Sequence, residues 1–327
     1  MTTQTAKQTT KQTSTSVTQA TSPNLFQNFL DSDFFYHFKR NKVAIVSFIL
    51  FVILAILSTF AAFIAPFDPY DLQILDIMDS ELPPIWQEGS DSRFFLGTDD
   101  QGRDLWSTIL YGMRVSLLIG LLAVLLQAVI GITIGLVSGY FGGKIDSVLM
   151  RIADVQLSFS TLMIAIIILA IVQSAFGNDA FNKWAMVILI LIIGLAEWPQ
   201  IARTVRSSVL AEKEKEYVDA AQVMGFGSMR IMFKHILPNC LSPIFVISTV
   251  QIANAIITEA SLSFLGLGMP VTEPSLGSLI STGKQYLFSG SWWITLIPGA
   301  FLVVLVIVIN LIGDFLRDTF NPKLYKD

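Results

Sequence analysis

The segment EYVDAAQVMGFGSMRIMFKHILPN, from Glu216 to Asn239, decides how this chain is read. It is charged and helically patterned, and it sits between two apolar blocks long enough to cross a bilayer. Apolar or small residues recur at helical spacing at Val209, Leu210, Tyr217, Ala220, Ala221 and Met224, while residues 212–216 form a mixed-charge turn. Gly225 follows the last periodic residue, where a left-handed conformation closes a helix at no Cβ cost. Phe226 and Gly227 lead into a second short helix, Ser228 to Ile236, capped by Ser228 and ended by Pro238. The pattern predicts a helix-turn-helix outside the lipid with Met224, Phe226, Met229 and Phe233 at its tip. Two readings fit it: a loop packed under its own bundle or in the bilayer interface, or a coupling element seated in a groove of another protein.

Around this segment the chain is 327 residues long, 53% hydrophobic and only 14% charged, with a mean hydropathy of +0.63. Its apolar residues gather in blocks too long for a soluble core, so the expected class is an all-α polytopic membrane protein. A net charge of -4 gives no sign of a nucleic-acid partner. Cys240 is the only cysteine, which excludes an intrachain disulfide and reads as packing.

Val43 to Ala65 is uncharged for 23 residues, a reach of roughly 35 Å as a helix. That is the first of six expected spans. The others are Val115–Gly139, about Val155–Val172, Trp184 to about Ile201, about Ile244–Phe264 and about Trp292–Gly313. Gly131, Gly135 and Gly139 in the second span form a small-residue face for close helix approach, and Trp184 and Trp198 fall where aromatic belts sit. Six spans put both termini on one side. With that side cytoplasmic, of the 21 lysines and arginines only Arg93, Arg103, Arg114, Lys183 and Lys284 lie outside, which assigns residues 203–240 to the cytoplasm.

The remaining organisation follows. Residues 1–24, rich in Thr, Gln and Ser, are expected to be a disordered cytoplasmic tail without a cleavable signal, and 25–42 an amphipathic cytoplasmic segment. Residues 66–114 form an acidic, proline-braced external lobe, 115–324 a core holding spans two to six and the 203–240 loop, and 325–327 a short tail. A second outer loop, Gly266 to Ser291, is rich in Gly, Ser and Pro.

Motifs for chemistry are absent. Gly143-Lys144 lacks the upstream glycine and the following Ser/Thr of a nucleotide loop, so no ATP site is expected here. His37 and His235 make no metal set, and the run Asp99 to Asp104 lacks the closing Glu of a calcium loop, Leu110 standing there, so it reads as a hydrogen-bonded turn. Glu259, Glu197 and Asp314 are acids within or at the ends of spans, where a charge costs at least about 2.5 kcal/mol at mid-bilayer, so each must face protein or water. Gln251, Asn254 and Glu259 share one span and are candidates for lining a translocation path; a hydrogen bond from Glu259 to a neighbouring span or to a partner subunit is the competing reading. Asp314 and Arg317, one turn apart, are expected to pair.

Several runs together resemble the permease subunits of dipeptide/oligopeptide/nickel-class ABC importers, and specifically their C-type member. They are Phe95-Leu-Gly-Thr-Asp-Asp-Gln-Gly-Arg-Asp104, Gly139-Tyr-Phe-Gly-Gly-Lys-Ile-Asp146, Trp198 with Ala202-Arg203 and Val205-Arg206, the 216–239 segment, Thr258-Glu-Ala-Ser-Leu-Ser-Phe-Leu-Gly-Leu-Gly268 and Gly313-Asp-Phe-Leu-Arg-Asp318. Asp-Ala-Ala, then Gly225, then Leu-Pro is similar to the EAA loop of such permeases. Asp219 stands for the general Glu and His235 for an apolar residue, while Ser160 and Glu197 also depart from the usual pattern.

The resemblance implies a type I importer permease in a bacterial inner membrane, with both termini cytoplasmic. It implies a second homologous permease, two ATP-binding subunits, a periplasmic or lipoprotein solute-binding protein and surrounding lipid as partners. Cofactors would be none in this chain, with ATP and magnesium held by the ATPases. Glu216, Asp219, Ala220, Ala221, Met224, Gly225, Phe226 and Met229 would form the ATPase coupling surface. Di- or oligopeptides would be the solute, with nickel chelates, glutathione or another small solute as alternatives and a self-sufficient secondary transporter as a distant one.

Overall fold

A computed structural model describes residues 38–70 and 76–320. The tails expected at 1–24 and 325–327, and most of the 25–42 segment with His37, lie outside the described residues. Residues 38–40 form one helical turn, closed by the Asn41 N–H on the Phe38 carbonyl at 3.2 Å.

From Lys42 onward the described chain is mostly helical, apart from the irregular lobe up to Asp104 and the loop at 265–275, and six helices are long and apolar enough to cross a membrane. The helices are α1 (Lys42–Thr59), α2 (Ala61–Ile64), α3 (Leu105–Phe141), α4 (Gly143–Leu157), α5 (Thr161–Asp179), α6 (Phe181–Lys213), α7 (Glu216–Val223), α8 (Leu241–Phe264), α9 (Leu276–Gly283) and α10 (Trp293–Thr319). Near the end of α5 the chain kinks at Gly177, whose φ of 78° no ordinary side chain adopts cheaply, and this sets α5 apart from α6.

Two expected spans were too short. Helix α3 begins at Leu105, ten residues before the apolar run, because Asp104 caps it: its carboxylate accepts from the Ser107 N–H (2.8 Å) and hydroxyl (2.5 Å). Helix α6 continues past Ile201 to Lys213, carrying Arg203 and Arg206 out of the apolar zone on one rod. The span expected from Val155 instead starts at Thr161, since residues 143–157 are a separate amphipathic helix, α4.

The small-residue face behaves as read. A Cβ on Gly131, Gly135 or Gly139 would stand 2.8 Å from Ile201, 2.5 Å from the Ala202 carbonyl and 2.8 Å from Val209, so these glycines set how closely α3 and α6 approach. Trp198 is buried rather than at a belt, its indole N–H donating to Gln156 Oε1 at 3.0 Å. Helix α4 is strapped to α6 by Arg206 on Asp146 (2.5 and 2.6 Å) and Arg203 on Asp154 (2.5 Å).

Two of the core clusters position the hairpin and the opposite end of the bundle. Leu54, Leu105, Ile109, Met113, Ile256 and Leu305 join α1, α3, α8 and α10; Leu136, Val205, Val209, Val218, Ile231 and Ile244 join α3 and α6 to α7 and the start of α8. The second set locks the 216–239 segment to the spans.

Candidate functional site

The hairpin is built as a helix, a glycine corner and a second helix. Glu216 and Asp219 lie in the first turn of α7, where the N-terminal dipole favours acids. At its other end Gly225 takes φ 77°, its N–H donates to the Gln222 carbonyl at 2.9 Å, and the Phe226 N–H reaches back to the Ala221 carbonyl at 3.2 Å. This pair of bonds is the Schellman closure that the glycine promised. A Cβ on Gly225 would meet nothing within 4 Å, so the position is constrained by backbone conformation and not by space.

The second arm corrects two expectations. Gly227, not Ser228, is the N-cap, with no side-chain cap bond. Pro238 does not stop the helix: it enters a tight turn, Leu237–Cys240, at a first-turn position where its missing N–H costs nothing, and the rod from Ser228 continues into α8. Along the way Ile231–Ile236 widens into π-helical turns.

Aromatic and polar contacts clamp the arms together. The rings of Phe226 and His235 stack at 5.8 Å and 13°, and the Arg230 guanidinium lies 4.5 Å from the Phe226 centroid. Tyr217 donates to Glu212 at 2.7 Å and accepts from Asn239 at 3.2 Å. Burial, together with the Glu212 carboxylate, pushes the Tyr217 hydroxyl up to about 12, so it stays a neutral donor.

Of the eight expected coupling residues, Ala221 is buried and Phe226 half-buried, while Glu216, Asp219, Ala220, Met224, Gly225 and Met229 are exposed. Val223 was missed, yet it is the barest apolar residue of the hairpin at 88% exposure, beside Met224 at 64% and Met229 at 65%. Its signal was its place one residue before the expected tip. These three and Phe233 therefore stand outward on a short, braced scaffold, the usual form of a surface made for a partner.

The expected path residues are placed differently. Glu259 is fully buried; its carboxylate accepts from Ser263 at 2.6 Å and Ser116 at 3.1 Å, and Ser116 in turn accepts from the Leu276 N–H at 3.2 Å. The geometry matches the competing reading, a bond to neighbouring elements: Glu259 knits α3, α8 and the start of α9. Gln251 is also fully buried, donating to Gln127 (3.3 Å) and Glu197 (3.2 Å) and accepting from half-buried Asn254 (3.0 Å). Gln127 and Gln156 went unnoticed in the sequence because a lone amide inside an apolar run carries no pattern. Asp314 and Arg317 form no ion pair among the described residues. Both line an open cavity with Thr204 and Phe320, and an exposed pair gains too little there to hold two side chains together.

The lobe end is held by its own bonds. Asp99 and Arg103 form a buried pair at 2.6 Å inside the turn expected at 99–104, and Arg103 also donates to the Val271 carbonyl at 3.3 Å. Ser291 donates to Glu81 at 2.6 Å and Trp293 to the Thr98 carbonyl at 3.2 Å, which ties the lobe to the second outer loop.

Comparison with known proteins places this geometry. Residues 131–326 match the family described as binding-protein-dependent transport system inner membrane component, and residues 30–84 match the N-terminal TM domain of oligopeptide transport permease C. The dipeptide transport system permease protein DppC of Escherichia coli K12 is 40% identical over 292 residues, covering 89% of this chain and 93% of that one. Its counterpart in Haemophilus influenzae is 38% identical over 243 residues, covering 74% and 79%. A chain of the inward-facing MetNI methionine ABC transporter shares the fold, with a TM-score of 0.53 at 20% identity over 66% of this chain and 98% of that one.

Proposed function

The chain belongs to the binding-protein-dependent transport system inner membrane components, and from that premise we propose that it is a permease subunit of an ATP-driven importer of di- and oligopeptides. It pairs with a second, homologous permease, two ATP-binding subunits dock on the cytoplasmic hairpins, and a solute-binding protein delivers substrate to the outer face. Both termini lie in the cytoplasm, and ATP is hydrolysed in the partner subunits.

The observation that carries this reading is the hairpin tip: Val223, Met224, Met229 and Phe233 exposed on a scaffold braced by its own rings and rooted in a packed core cluster. An apolar tip of this shape fits a groove in a partner. Because α7 and the start of α8 share a packed core with α3 and α6, force applied at the tip reaches the spans without a flexible joint. Closure of the ATPases would bring two such hairpins together and rock the spans about the interface between the two permeases, where the path would lie. The relatives' printed names support peptides as the solute.

The test is Gly225→Asp in the assembled importer. Aspartate is one of the few residues besides glycine that visit the left-handed conformation, so the change adds charge at the tip at a smaller backbone cost than most side chains would carry. The expected outcome is normal membrane insertion and continuing ATP hydrolysis, with peptide uptake down at least about tenfold, the effect of losing roughly 1.4 kcal/mol of coupling. Unchanged uptake would remove the coupling role.

A further inference from the structure

Two cavities meet at Arg114, and neither is used by the coupling surface. The first, about 490 Å³, is walled by Tyr70, Tyr111, Arg114, Met186, Thr272 and Glu273. The second, about 450 Å³, is a mostly apolar groove walled by α1, α3, α8 and α10, with Phe51, Leu117, Leu121, Ile252 and Ile309 in its lining. Arg114 and Leu118 line both. Each volume lies within the range of about 300–1,000 Å³ usual for small-molecule sites.

The charges are arranged along one direction. Arg114 is the last charged residue before an uncharged run that starts at Val115, so it stands at headgroup depth while Leu117 and Leu121 lie in the hydrocarbon. The other arginines of the outer segments are committed, Arg93 to Asp79 and Asp91, and Arg103 to Asp99. Arg114 and Glu273 are exposed, and neither side chain has an ion-pair partner among the described residues. Tyr70 and Tyr111 meet edge to face at 5.2 Å and 86°, forming an aromatic wall beside both charges. Burial, and then the Glu273 carboxylate, holds the Tyr70 hydroxyl above its usual range, so it remains a neutral donor.

We propose that this double cavity binds one phospholipid with a zwitterionic ammonium–phosphate headgroup, of the phosphatidylethanolamine class. Its phosphate lies on Arg114, its ammonium on Glu273, and one acyl tail in the groove between α1 and α3. A purely anionic headgroup satisfies Arg114 but is repelled by Glu273, and a free cation has the reverse difficulty. A ligand with both charges and an apolar tail answers every part of the wall. A free dipeptide carries both charges but leaves the groove empty.

The experiment is quantitative mass spectrometry of lipid retained by the purified importer complex. The wild type is expected to keep phosphatidylethanolamine over phosphatidylglycerol by about tenfold, the worth of one charge-assisted contact. Glu273→Gln should erase that preference while lipid is still retained, and Arg114→Gln should lower both lipids. Equal retention of the two lipids by the wild type, or unchanged retention in both variants, would overturn the site. Should a variant fail to assemble, titration of the wild type with the two lipids in detergent decides alone: a preference supports the site and parity removes it. Displacement of bound phosphatidylethanolamine by an alanyl-alanine dipeptide at millimolar concentration would also overturn it, because a tail-held lipid resists a tailless competitor. The readout is lipid, not uptake, so its failure leaves the transport reading standing.

Discussion

The two ends of the bundle are finished in opposite ways. At the lobe end several polar groups are spent inward: Asp99 on Arg103, Glu81 on Ser291, and Thr98 between Leu82, Asp79 and Trp293. At the hairpin end bulky apolar side chains are left outward, and a Cβ on either glycine of the corner would meet nothing. The lobe end is held by internal polar bonds although it too leaves Ile77, Met78 and Phe288 bare. The bare apolar residues of the hairpin instead gather on one short braced tip, and a monomer gains nothing by leaving Met224, Met229 and Val223 uncovered there. The difference teaches where this chain keeps its stability and where it presents a surface for other proteins.

The contrast breaks most visibly at the tip. Met224→Asp with Met229→Asp is expected to weaken binding of the ATPase subunit on the order of a hundredfold or more, since central apolar contacts are worth about 2 kcal/mol each. The stability of the chain should move by no more than about 0.5 kcal/mol, because both residues are exposed. A pull-down titration with a thermal melt of the same preparation reads both. Intact binding, or a large melt shift, would mean that the tip is not an open surface.

The outer end should give the opposite pair of results. Arg103→Ala leaves the Asp99 carboxylate buried with its strongest partner gone, a change that costs about 3–5 kcal/mol in comparable pairs. ATPase binding should be unchanged. Replacing both, Asp99→Asn with Arg103→Met, should recover much of the loss, since no buried charge is then left alone. If Arg103→Ala melts like the wild type, the closed-end description fails.

Much of this contrast was legible in the sequence, and the remainder was hidden for physical reasons. The spans announced themselves because an apolar run must be long to cross a bilayer, and the corner at Gly225 because a left-handed residue favours glycine. Helix α4 went unread as a separate element because Val155, near its end, opens an apolar run that looks like the start of a span, and the arginines that hold its acids lie 60 and 49 residues away. Pro238 misled because a proline breaks a helix interior but suits a first turn, which is where the tight turn at Leu237 places it. The enclosure of Glu259 could not be read from spacing, since its partner Ser116 is 143 residues distant and a serine in an apolar run gives no local signal.

The smallest effect falls beside the hairpin, at the strap joining α4 to α6. Arg206 grips Asp146 with two nitrogens and Ser138 donates to the same carboxylate at 2.5 Å; this bidentate grip, foremost, holds the Asp146 carboxyl below its ordinary range. The pair is partly exposed, with 33% of the arginine and 18% of the aspartate side chain accessible, so screening keeps its worth near 1 kcal/mol. A carboxylate whose folded pKa is lowered adds stability that is complete above its unfolded value of about 4, and loses it as pH falls through the lowered folded value. Asp146→Asn should therefore cost about 1 kcal/mol at pH 7, and the gap between variant and wild type should narrow only below about pH 4. Chemical denaturation of the solubilised chain across that range is the measurement. A gap that persists unchanged at the acid end would mean that the strap holds by shape and not by charge. Helix α4 would then belong with the closed, packed end of the molecule, not with the open one.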